Sequence, residues 1–141
     1  KLGWAARLHE IGCRISHSES HRHGAYILDN TDVAGFSQPE LHRLGMLVLG
    51  HKGKVRKLET DLDDATFALQ LLCLRLAVVL CHARRDPDTH ALALHANTGL
   101  GTFELSVSAG WAERYPQSAH LLREEVLAWQ KTPWTLALDI Q

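Results

Sequence analysis

The sequence contains no Cys-x-x-Cys pair, no Walker A loop, no Gly-x-Ser-x-Gly elbow and no apolar run long enough to span a bilayer. With just three cysteines, Cys13, Cys73 and Cys81, a disulfide scaffold and a cysteine-based zinc ribbon are excluded. The thiols read as reduced, as in a cytoplasmic protein. Without a Walker A loop or nucleophile elbow, the common nucleotide-cradling and acyl-transfer sites are gone as well. The longest apolar stretch, Leu69–Leu80, is interrupted by Gln70 and Arg75, which argues against a membrane span. Aromatics are sparse, at four Trp, two Tyr and three Phe, and the formal net charge is −1. No stacking platform, helix-turn-helix signature or general polyanion-binding composition follows, so nucleic acid is not an expected partner. Any basic site must be local.

What is present is histidine, ten of them in 141 residues, which makes the net charge sensitive to pH near the ordinary imidazole range. A chain of this length suits one globular domain with a small appended lobe. It starts at Lys1, already inside a helix-like pattern of Leu2, Ala5, Ala6 and Leu8, and reads as a piece of a longer protein. The spacing predicts a helix over 2–12 closed by Gly12, a Ser- and His-rich loop, and a short helix near Gly24–Leu28. Ser37, Pro39 and Glu40 then announce a helix reaching about Leu49. A long, nearly all-apolar helix is expected from about Asp63 to Arg84, with an acidic start and a basic end. After Pro87 the pattern changes. "HALALHA" and "GTFELSV" alternate with period two around "NTGLG", as in a β-hairpin, and a helical stretch and another alternating run follow. The expected fold is therefore mainly α, a helical body over 1–86, with a small β-β-α-β lobe of α+β type over 87–141. Trp111, Trp129 and Trp134 fall in that lobe as core or interface anchors, core being preferred.

The histidines concentrate in "LHEIGCRISHSESHRHGAYIL", residues 8–28, where His9 is followed by Glu10. An imidazole beside a carboxylate can face one cation, and zinc, manganese and iron accept such mixed ligands. The dipeptide alone is commonplace on helix surfaces. The order of pieces says more: "RLHEIG", "HRHGAYIL", "LVLGHKGKVRKL" and "LLCLRLAVVL" together resemble the HD-domain superfamily of metal-dependent phosphohydrolases. Within it, the pieces are most similar to the C-terminal region of the exopolyphosphatase and guanosine pentaphosphatase family.

That resemblance implies an HD-like helical body and a degenerate metal site at His9, Glu10, His23 and Arg75. Glu10 stands where the superfamily has its name-giving Asp, and Arg75 stands where the long helix would carry another. Burying an unpaired guanidinium costs several kcal/mol, so Arg75 needs a partner, and an Arg75–Glu10 ion pair in place of a metal is the expectation. The alternative is a weakly held metal on His9, Glu10, His23 and His51. His17 and His21 read as members of a solvated loop.

The second concentration is "HKGKVRK", residues 51–57, with Lys52, Lys54, Arg56 and Lys57 beside His51 in a slightly acidic chain. A solvated connector explains such a cluster as readily as an anion site does. As an anion site it would hold a phosphate chain such as inorganic polyphosphate, extended by Arg22 and Arg14. The resemblance implies the same substrate and a homodimer. It also places catalysis, a carboxylate base and magnesium in upstream domains outside this chain, so neither catalytic residues nor a cofactor are expected here. The parent would be a phosphoanhydride hydrolase, an exopolyphosphatase or its guanosine pentaphosphate relative. The competing readings are an autonomous metal-dependent phosphohydrolase and a pure dimerisation module.

Overall fold

The computed structural model describes residues 2–58, 61–82, 84 and 86–141, and the backbone alone of Arg56. Six α-helices run over Leu2–Leu8 (α1), Ser20–Asp29 (α2), Gln38–Gly50 (α3), Ala65–Leu80 (α4), Trp111–Arg114 (α5) and Pro116–Trp129 (α6) among these residues. Three strands follow the same order, Leu92–Asn97 (β1), Thr102–Val107 (β2) and Thr135–Ile140 (β3), and short 3-10 turns occupy Ile11–Arg14, Val55–Leu58, Asp61–Asp63 and Thr89–Ala91. The chain is mainly helical with a small mixed sheet toward its C-terminal end, as expected. Contacts group it into two units, 1–54 with 70–75, and 55–69 with 76–141.

In the first unit α2 packs on α3, and α1 on α3. Its apolar interior draws on Ala5, Ala25, Leu28, Leu41, Leu44, Leu47, Val48, Leu71, Leu72 and Leu74. Helix α3 begins as its sequence demands: the Ser37 hydroxyl accepts from the Glu40 amide at 3.2 Å, and the Glu40 carboxylate accepts from the Ser37 amide at 3.0 Å. This reciprocal cap satisfies two amides that a helix start leaves open. The predicted first helix is shorter than expected, ending at Leu8, and Gly12 sits instead in the 3-10 turn that packs on α2. Helix α2 starts earlier than expected, at Ser20, and draws the end of the predicted Ser/His loop into the fold.

In the second unit β1 and β2 form the expected antiparallel hairpin, and β3 adds parallel to β2, giving the order β1-β2-β3. The parallel pairing needs a crossover, which α5 and α6 supply, and α6 packs on β3. Phe103, Leu105 and Val107 alternate on the buried face of β2. Phe103 stacks on Trp134 with ring centroids 4.9 Å apart and meets Trp129 edge-on at 5.8 Å. The Trp134 indole N–H donates to the Leu62 carbonyl at 2.8 Å. All three tryptophans of this unit are core residues.

Helix α4 is capped by Asp64, whose carboxylate accepts from the Thr66 and Phe67 amides. It is shorter than the predicted Asp63–Arg84 because the acidic start forms its own 3-10 turn and the helix ends at Leu80. Its Gln70–Arg75 segment belongs to the first unit and its ends to the second.

Candidate functional site

The residues of the alternative metal set come from three places in the first unit: His9 and Glu10 just after α1, His23 on α2, and His51 just after α3; the degenerate site shares the first three and has Arg75 of α4 in place of His51. The fold brings His9 and His51 together. Their rings meet edge to face with centroids 5.1 Å apart. Each is fixed by the same device, an Nδ1–H donating to the carbonyl three residues back, that of Ala6 for His9 and that of Val48 for His51. Because a carbonyl can only accept, Nδ1 of each ring carries the donated proton.

Glu10 does not join them, for its side chain is exposed. His23 is half-buried on α2. Among the described residues no three His, Cys, Asp or Glu side chains are grouped so as to hold a metal ion.

Arg75 is buried, at 6% exposure. Its Nη1 donates to the carbonyls of Gly50 at 2.7 Å and Gly53 at 3.0 Å, whereas Glu10 lies at the surface. Gly50 is the last residue of α3, where the carbonyls lack helical partners and carry the negative end of the dipole. A permanent cation is well placed there.

His21 was expected in a solvated loop, but it lies on α2 and is buried. It stands near enough to His51 for the two imidazoles to act on each other electrostatically. A signal for its burial exists in the sequence, since His21, Ala25 and Leu28 follow helical spacing along one face. His17 is exposed.

Lys52 and Lys54 are exposed on the turn after α3, where Gly53 takes φ +80°. Lys57 is exposed in the second unit, and the side chain of Arg56 lies outside the described residues. Arg22 forms a surface ion pair with Glu19 at 2.7 Å, and Arg14 is exposed.

A family model described as Ppx/GppA phosphatase, domain III, matches residues 1–126. The chain belongs to that family. It is 31% identical over 137 residues to the guanosine-5'-triphosphate,3'-diphosphate pyrophosphatase of Pseudoalteromonas translucida (strain TAC 125), covering 95% of this chain and 27% of that protein. Proteins of the same name from Aeromonas hydrophila and Aeromonas salmonicida are 30% and 32% identical, over 97% of this chain and 28% of each relative. The chain therefore spans little more than a quarter of the length of the curated relatives it matches. No helix among the described residues is long and apolar enough to cross a membrane.

In this domain III chain His51 is held neutral. Burial pushes its pKa from the ordinary 6.5 down to about 4, the Val48 carbonyl opposing and His9, His21 and Lys52 reinforcing the depression. As pH falls the unfolded chain takes up this proton first, so the stability present above 6.5 is lost between 6.5 and about 4. Fully developed, that loss is about 3 kcal/mol. His51→Gln should flatten the decline. Denaturant unfolding of both proteins at neutral and mildly acidic pH checks this; equal losses in the two would show that another group carries the effect.

Proposed function

We propose that this domain III chain holds the phosphate chain of the substrate for a phosphoanhydride hydrolase and contributes to its homodimer, with catalysis and magnesium lying in other parts of the parent protein. The parent acts in the cytoplasm in this reading. The observation that carries it is the turn after α3, which presents Lys52 and Lys54 to solvent in a member of a phosphatase family. At neutral pH His51 adds no charge to this turn, so the lysines supply the attraction. Arg56 and Lys57 extend it in sequence, and Arg22 of α2, paired with Glu19 at the surface, is a further cation in this reading. Inorganic polyphosphate is the substrate this row of cations suits, because each neutralised phosphate releases a counterion and makes binding strongly salt-dependent.

A second reading takes guanosine pentaphosphate as the substrate. It is favoured by the names of the relatives, which are guanosine-5'-triphosphate,3'-diphosphate pyrophosphatases.

Titrating the chain with polyphosphate over a range of salt concentrations tests the proposal. The unaltered chain should bind at low salt. The double variant Lys52→Ala with Lys54→Ala should bind roughly tenfold more weakly, with the slope of log affinity against log salt reduced by about 1 for each lysine removed. No binding at low salt would leave only assembly. Displacement of polyphosphate by guanosine pentaphosphate at much lower concentration would favour the second substrate.

A further inference from the structure

Arg75 ties α4 to the turn that follows α3. It is buried on α4, yet its guanidinium reaches the two backbone carbonyls that bracket the lysine turn, Gly50 at 2.7 Å on one side of Lys52 and Gly53 at 3.0 Å on the other. We propose that Arg75 is a positioning residue for the anion site, fixing the backbone that presents Lys52 and Lys54 and cancelling the negative end of the α3 dipole beneath them. The inference rests on the substrate-holding reading given above.

Two physical reasons support it. The first is geometric. Gly53 lies at φ +80°, a region that glycine enters freely, so the turn it forms after α3 would wander without a tie. One planar guanidinium nitrogen donating to both carbonyls restricts the turn at two points and leaves the intervening lysine a narrow range of positions. Ordering the turn before the ligand arrives removes an entropic cost that binding would otherwise carry.

The second reason is electrostatic. An anion approaching the turn meets the C-terminal end of α3, a partial negative charge of about half an electron, which opposes the lysines. His51 turns its Nδ1–H onto the Val48 carbonyl but stays uncharged at neutral pH. Arg75 brings a permanent positive charge to the Gly50 carbonyl at the very end of the helix. Being buried, it does so without competing with the lysines for the ligand. Lysine in its place would keep the charge but, on a shorter and more flexible stem, would lose the planar group that fixes the direction of the two Nη1–H bonds.

Inorganic polyphosphate of defined length is the probe. Arg75→Lys and Arg75→Gln are compared with the unaltered chain and with the double lysine variant, circular dichroism first establishing that each is folded. Arg75→Lys should weaken polyphosphate binding roughly fivefold to tenfold while leaving the salt slope unchanged, because the same lysines still meet the phosphates. Arg75→Gln, losing the charge as well, should weaken it further at the same slope. In the absence of ligand, amide hydrogen exchange over residues 51–54 should quicken in both variants. A merely structural arginine would alter stability without this pattern. If the unaltered chain binds polyphosphate and a folded Arg75→Lys binds equally well, or if exchange in the turn is unchanged, the positioning role is overturned and the substrate-holding reading survives. If the unaltered chain does not bind at low salt, the substrate-holding reading falls and this inference falls with it. Should Arg75→Lys fail to fold, Arg75→Gln with the exchange measurement decides by the same criteria.

Discussion

Gly12→Ala is expected to destroy the first unit of the chain, at a cost of about 4 kcal/mol or more, the upper end of what single substitutions do. A methyl group built on Gly12 would lie 1.7 Å from the Ser20 carbonyl oxygen and 2.6 Å from the Gly24 amide nitrogen. Both obstacles are backbone, so no rotamer change relieves the clash. The 3-10 turn and α2 must separate, and the interior they share with α3 must open. With total stabilities of about 5–15 kcal/mol for ordinary domains, much of the population would be unfolded at room temperature. Gly3→Ala is the control. Its added methyl meets nothing within 4 Å and it lies inside α1, where alanine is the better helix former, so it should be neutral or slightly stabilising. Thermal and urea unfolding of the pair measures the difference, and a Gly12→Ala protein melting with Gly3→Ala would mean that the turn does not approach α2 so closely.

That glycine also shows what could be read in advance and what could not. The "HEIG" text was read as a helix stop, and the stop falls earlier, because Gly12 is reserved for close approach to the backbone of another element. Nothing in a single sequence separates these two uses of glycine. The start of α3 was legible since Ser37 and Glu40 act on amides within four residues of each other. The hairpin was legible since Phe103, Leu105 and Val107 alternate as a half-buried strand must. The order of strand, helix and strand was legible too, while the parallel pairing of β3 with β2 comes from the structure. The carbonyl acceptors of Arg75 were not legible. A buried cation in a sequence invites a search for a carboxylate, and Glu10 was the carboxylate in the matching motif. Two acceptors it uses, at Gly50 and Gly53, are backbone carbonyls, which every residue possesses and no sequence pattern marks. His9 and His51, 42 positions apart in the sequence, meet ring to ring in the fold, a contact that no local spacing marks.

Trp129→Ala should cost the second unit about 3–5 kcal/mol, the range for deleting a large aromatic side chain from a core. Trp129 is fully buried near the end of α6. Its ring meets the Phe103 ring edge-on at 5.8 Å, and Phe103 in turn stacks on Trp134, so one indole supports the aromatic stack beneath the sheet. The cavity left by alanine cannot be filled by rotating Phe103 without breaking its 4.9 Å stack on Trp134. Trp129→Phe separates the apolar from the polar part of this contribution. Phenylalanine keeps an aromatic ring against Phe103 but loses the indole N–H that donates to the Glu125 carboxylate at 3.0 Å. Glu125 is buried, at 7% exposure, and a buried carboxylate deprived of a donor costs about 1–3 kcal/mol. Unfolding free energies should therefore fall in the order unaltered chain, Trp129→Phe, Trp129→Ala. A Phe variant as unstable as the Ala variant would assign the contribution of Trp129 to its bond with Glu125, and a Phe variant as stable as the unaltered chain would assign it to packing alone.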